Sequence, residues 1–125
     1  AAETTEAARR VGLDVEVLRW ADVDVAALAA GADLLVSTVP SEALTADLAA
    51  LAGVPCVLDV IYHPWPTPLA QAVTARGGRI ATGLDMLLHQ AFGQVEQFTG
   101  RAAPREEMRD ALREATGGEV PLPLD

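Results

Sequence analysis

The chain contains no lysine: all nine of its cationic residues are arginine, set against eighteen carboxylates for a net charge of −9. That removes Schiff-base chemistry, a lysine general base and a lysine phosphate ligand from anything this polypeptide does alone. The arginines are scattered rather than gathered into a stripe, so the electrostatic footprint of a nucleic-acid partner is missing. Cys56 is the single cysteine and lies in the apolar run 54–58; without an internal disulfide partner it reads as a buried strand thiol. Half of the residues are hydrophobic, yet no apolar run approaches the ~18 to 20 residues that span a membrane. The start of the chain is acidic and helix-like, with neither the basic nor the apolar part of a secretory signal. No membrane partner and a cytoplasmic location are therefore expected. The phosphate fingerprint G-x-G-x-x-G is absent. His63 and His89 stand far apart with no cysteine cluster, so no metal site is expected. Ser37, His63 and Asp59 do not assemble into a nucleophile, base and orienting acid by spacing, and no catalytic residue is assigned.

What the 125 residues do contain is alternation, in a length that suits one domain. Helical patterns over 4–11, 23–30, 42–51 and 69–75 alternate with strand patterns over 14–18, 33–37, 56–61 and 79–81. Ser41 is placed to cap the third helix, and Gly12, Gly31 and Gly53 close the first three. Prolines 64, 66 and 68 hold an extended loop before the fourth. Such alternation predicts a parallel sheet with helices on both faces. Ligands of such sheets sit outside the carboxyl ends of the strands, which here carry Leu18-Arg19-Trp20, Ser37-Thr38-Val39-Pro40, Val60-Ile61-Tyr62-His63 and Ala81-Thr82-Gly83. Two further helices follow, to about residue 99 and over 104–115. The tail, residues 117–125, has no periodicity and is expected to be flexible.

The segment Gly83-Leu84-Asp85-Met86-Leu87-Leu88-His89-Gln90 is the most informative. At about 100° per residue, Gly83, Met86 and Gln90 fall within roughly 60° of one another. Leu84, Leu87, Leu88, Ala91, Val95 and Phe98 form the face expected to pack. The ends of the later strands and this helix then offer an apolar wall (Val60, Met86), a phenol (Tyr62), an unencumbered backbone (Gly83) and an amide (Gln90). These residues also admit plainer roles: Gln90 bonded to a neighbouring loop, and Tyr62 and Trp65 as lids over the sheet.

The run Asp59-Val60-Ile61-Tyr62-His63-Pro64-Trp65-Pro66-Thr67-Pro68-Leu69, then Arg76-Gly77-Gly78, then Gly83 through Phe92, closely resembles the C-terminal part of shikimate dehydrogenases. The resemblance extends from near residue 3 to about residue 113, and Phe98-Thr99-Gly100 is similar to the family's usual end of this helix. It implies an enzyme of aromatic amino-acid and chorismate biosynthesis that reduces 3-dehydroshikimate to shikimate with NADPH. By position, Val60, Gly83 and Met86 match residues bordering the nicotinamide half of NADP, and Tyr62 and Gln90 match residues that hydrogen-bond the substrate. The fold implied is a partial Rossmann-like sheet over residues 1–116, lacking the first two strands, with two C-terminal helices.

The resemblance also implies what lies elsewhere. The family's catalytic lysine and aspartate belong to an N-terminal domain, and the glycine-rich and 2′-phosphate loops would precede Ala1, so the chain alone is expected to be inactive. The family often shows an asparagine followed by a threonine-serine pair where Ser37-Thr38-Val39-Pro40 stand, and no cofactor contact is carried onto those positions. A relative acting on quinate, or a non-catalytic α/β interaction module, are the alternatives. With two strands missing, segment 14–18 is expected either to pair directly with 33–37 or to pair with a second copy across an exposed apolar edge.

Overall fold

Three four-residue parallel strands organise the chain in a computed structural model that describes residues 2–124, with only the backbone described at Ser41. β1 (Leu34–Ser37), β2 (Cys56–Asp59) and β3 (Arg79–Thr82) lie in the order β1-β2-β3. Cys56 is level with Leu34 and Arg79, and Asp59 with Ser37 and Thr82. The crossovers carry helices, because parallel neighbours cannot be joined by a tight turn. Preceding the sheet are α1 (Ala2–Arg10), a 3₁₀ turn (Trp20–Asp22) and α2 (Val25–Ala30), which Asp24 caps through Ala27 N. Between β1 and β2 come a 3₁₀ turn (Ser41–Leu44) and α3 (Leu48–Leu51), and α4 (Pro68–Ala75) joins β2 to β3. In α1, Arg9 and then Arg10 bond Glu6 and hold its carboxyl below the ordinary value.

One face of the sheet, bearing Leu35, Val57 and Ile80, packs under α2, α3 and α4 in a core built on Val25, Leu51, Val54, Leu69 and Val73. Side chains alternate along a strand, so Leu34 and Val36 point the other way and stay 58 % and 50 % exposed. On that face Arg79 Nη2 donates to Cys56 Sγ at 2.7 Å, leaving the thiol half-buried.

A second core lies beyond β3. There α5 (Gly83–Thr99) and α6 (Arg105–Ala115) meet the tail. Leu84, Leu88 and Phe92 bury one stripe of α5 against Val120 and Leu122, with Trp65, Met108 and Leu112 packed around them. The chain reverses at Gly117 and Gly118, both at φ +74°, a region that favours glycine. His89 Nε2 lies 3.2 Å from the Pro123 carbonyl oxygen, within hydrogen-bonding reach.

Four expectations change. Residues 14–18 form no strand and pair with nothing in β1: all five are exposed, and β1 has only β2 beside it among the described residues. Their alternation fixes which side chains would face inward but does not bring the segment onto an edge, and the outer edge of β1 stays open among the described residues. The helix expected over 42–51 breaks into the 3₁₀ turn and α3, with Asp47 at the break accepting the Trp20 indole N–H at 3.0 Å. The cap assigned to Ser41 falls on a side chain outside the described residues. The tail is seated rather than loose, with Leu122 fully buried. On α5 the packing face is turned toward Phe92, leaving Leu87 and Phe98 exposed, because its partners come from α6 and the tail.

Candidate functional site

The last residues of the three strands, Ser37, Asp59 and Thr82, are level with one another, polar and buried. Each holds the segment that leaves its strand or the neighbouring one. The Ser37 carbonyl accepts from Val60 N at 2.9 Å, steering the exit of β2 along β1. Asp59, wholly buried, accepts from Thr67 Oγ1 at 2.6 Å and from Ile61 N at 3.3 Å. Thr67 Oγ1 also accepts from Ala70 N at 3.1 Å, capping α4, whose first position is Pro68. The loop 60–67, with its cis His63-Pro64 and Trp65-Pro66 peptides, is therefore tied at both ends to one carboxylate.

Thr82 starts α5 with no intervening loop. Its Oγ1 accepts from Asp85 N at 3.3 Å, while Asp85 Oδ2 accepts from Thr82 N and Oγ1, both at 2.7 Å, a reciprocal cap that fixes the first turn. Gly83 follows at once and is buried. A Cβ on Gly83 would collide with the Val60 carbonyl oxygen and lie 2.9 Å from Tyr62 Cδ1. The exit of β2 thus crosses directly over the start of α5, and Val60, Tyr62 and Gly83 meet at one point on the carboxyl rim. The space at this glycine is occupied by the chain's own backbone and ring.

Met86 lies one turn further on, 41 % exposed, and Gln90 another turn beyond, also exposed. The stripe Gly83-Met86-Gln90 lies on the side of α5 away from Leu84, Leu88 and Phe92. Tyr62, 41 % exposed, instead lines a cleft of about 370 Å³ with His63, Trp65, Leu84, Glu119 and Val120. Gln90 is not in the lining of that cleft. The structure brings three of the five candidate residues into contact and sets the other two along one open helical face.

Asp59 and Thr67 are the residues that sequence reasoning missed. The available signal was Thr67-Pro68, a capping residue followed by a proline suited to the first helical turn. What it caps to, a carboxylate eight residues earlier, is visible only in three dimensions. Among the described residues no group of three or more His, Cys, Asp or Glu could hold a metal ion, and no helix is long and apolar enough to cross a membrane.

Residues 83–113 match the family described as Shikimate 5'-dehydrogenase C-terminal domain. The chain is 37 % identical over 105 residues to the shikimate dehydrogenase (NADP(+)) of Haloarcula marismortui, covering 82 % of this chain and 37 % of that protein. Against the shikimate dehydrogenase (NADP(+)) of Paramagnetospirillum magneticum the identity is 39 % over 108 residues, with the same two coverages of 82 % and 37 %. The crystal structure of Mycobacterium tuberculosis shikimate dehydrogenase superposes with a TM-score of 0.82 at 49 % identity, covering 90 % of this chain and 43 % of that one. A shikimate 5-dehydrogenase from Mycobacterium fortuitum gives 0.80 at 52 % identity, covering 89 % and 41 %. The chain therefore spans well under half the length of these relatives.

Proposed function

This chain belongs to the shikimate dehydrogenase family, over the part that carries the family's C-terminal domain, and from that premise we propose that its carboxyl rim is one wall of an NADP-dependent active site that interconverts 3-dehydroshikimate and shikimate. NADP, when bound, supplies the hydride chemistry. Val60, Gly83 and Met86 border its nicotinamide end, and Tyr62 and Gln90 hydrogen-bond the substrate. The observation that carries this reading is the junction at Gly83, where the absent side chain lets the Val60 carbonyl and the Tyr62 ring close onto the first turn of α5.

The residues fit that role in part. Half-buried Val60 and the exposed Met86 thioether offer an apolar, polarisable surface for a flat ring. The Val60 backbone is held by its N–H bond to Ser37, so its carbonyl is a fixed element of the wall. The phosphate end of the cofactor has no glycine-rich loop in this sequence. Val60, Gly83, Met86 and Gln90 carry no titratable proton, and the phenol of Tyr62 is assigned to binding. On this reading the group that moves the hydroxyl proton stands outside these five residues, and this chain supplies one wall of the site.

The test is a chimera in which this chain replaces the matching 43 % of the M. tuberculosis enzyme. The chimera oxidises shikimate with NADP, whereas the 125-residue chain alone does not. Tyr62→Phe and Gln90→Ala each raise the KM for shikimate about tenfold, the worth of one hydrogen bond to a charged or polar ligand, and leave the KM for NADP in place. Unchanged shikimate KM in both variants, or turnover by the isolated chain, overturns the proposal.

A further inference from the structure

Asp59 does more than packing requires. The carboxylate is wholly buried, and no ion pair reaches it among the described residues. Its donors are the hydroxyl of Thr67, itself 1 % exposed, at 2.6 Å and Ile61 N at 3.3 Å. Burying a carboxylate without a countercharge is costly. An apolar pair of the same shape, leucine facing valine, would fill this space with no polar group to satisfy. What such a pair cannot do is hold two separated points of the chain. Here Oδ1 of Asp59 takes the start of the 60–67 loop and Oδ2 takes its end.

Little else fixes that loop. Over residues 61–66 no backbone-to-backbone hydrogen bond forms among the described residues, and the Gln71 side-chain amide reaches the Pro66 carbonyl only at 3.5 Å. Tyr62 directly follows Ile61, whose N–H is the first tie, and its ring edge stands against the first turn of α5 at Gly83. The neighbours of the ring are held separately: Val60 by its bond to the Ser37 carbonyl, and Gly83 by the reciprocal cap of Thr82 and Asp85. Freed from Asp59, the loop would pivot beyond Val60, so that the Tyr62 ring moves while Val60 and Gly83 stay.

On the reading above that Tyr62 bonds the substrate, we propose that Asp59 and Thr67 are positioning residues for shikimate. Their buried hydrogen bond holds the loop so that the Tyr62 ring stands against α5, and through Tyr62 it sets the affinity for shikimate. The nicotinamide side of the rim is left to the ties at Ser37 and at Thr82 with Asp85.

Tyr62 is the chain's only tyrosine, so 3-fluorotyrosine places a ¹⁹F probe at this ring alone. In the 125-residue chain, Thr67→Val moves the ¹⁹F resonance toward its unfolded position, and Thr67→Ser, which keeps the hydroxyl, restores it. In the chimera described above, Thr67→Val raises the KM for shikimate about three- to tenfold, up to the worth of the Tyr62 hydrogen bond. The KM for NADP stays in place, and Thr67→Ser returns most of the loss. Combined with Tyr62→Phe, Thr67→Val adds less than it does alone, as residues acting through one group must. A mere loss of folded enzyme would lower kcat and leave both KM values unmoved. Asp59→Leu leaves the α4 cap in place and gives the same result as Thr67→Val. The double variant of Asp59→Leu with Thr67→Val, in which neither side chain faces an unpaired polar partner, serves where a single variant does not fold. An unmoved ¹⁹F resonance in these variants, a shikimate KM that holds in Thr67→Val while Tyr62→Phe raises it, or additive effects of the two overturns the proposal. An unchanged shikimate KM in Tyr62→Phe itself is a different result: it overturns the substrate assignment, and the positioning role falls with it.

Discussion

Replacing Gly83 by alanine tests whether the rim is built as described. The added Cβ meets the Val60 carbonyl oxygen and carbon, backbone atoms, as well as the edge of the Tyr62 ring. The ring can turn away, but the carbonyl cannot shift without loosening the Val60 N–H bond to Ser37. Forced overpacking costs about 1 to 3 kcal/mol and more where backbone must move, so we take about 3 kcal/mol. Against this stands up to about 1 kcal/mol from better helix propensity and a less flexible unfolded chain. The net is a loss of about 2 kcal/mol. With a urea m-value of about 1.5 to 2 kcal/mol/M, the unfolding midpoint falls by about 1 M. Gly93 supplies the control in the same helix: a Cβ there meets nothing within 4 Å, so Gly93→Ala raises stability by about 0.5 to 1 kcal/mol. Tyr62→Ala recovers only a minor part of the Gly83→Ala loss, because the carbonyl collision persists. If Gly83→Ala unfolds at the same urea concentration as the original chain, or if Tyr62→Ala restores it fully, the crossing of β2 over α5 is wrong.

Thr67→Val keeps shape and removes the hydroxyl that serves both buried Asp59 and the α4 cap. Losing a cap costs about 1 kcal/mol and leaving a buried carboxylate short of a donor about 1 to 3 more, so urea unfolding should register a loss of about 3 kcal/mol that Thr67→Ser largely avoids. Leu122→Ala truncates a fully buried side chain and should cost about 2 to 4 kcal/mol, with Trp65 emission shifting as the second core opens; a loss under about 0.5 kcal/mol would mean that the tail is not docked.

The parts of the fold legible in the sequence are those decided by local chemistry. The apolar runs around Leu35, Val57 and Ile80 do lie in adjacent parallel strands, and the three-residue and four-residue steps from Gly83 to Met86 to Gln90 do define one side of a helix. The failures share a cause: each depended on a partner distant in sequence. Residues 14–18 carry strand alternation but are not paired with the open edge of β1. The tail carries no periodicity, yet Val120 and Leu122 are the counterpart that turns the buried stripe of α5 toward Phe92. Asp59, which spacing does not join to Ser37 and His63, proves to be the anchor of the loop that carries Tyr62.

That anchoring explains why the rim can hold a fixed geometry on strands of only four residues. Short strands offer few ladder bonds, so their ends are free to splay unless something else ties them. Here Ser37 holds the departure of β2, Asp59 holds its loop, and Thr82 with Asp85 fuses β3 to α5 without slack. The three ties act at one level of the sheet. Loosening any of them would move the Val60 carbonyl, the Tyr62 ring and Gly83 relative to one another. The residues at this level therefore act through position: they set where Val60, Tyr62 and Gly83 stand.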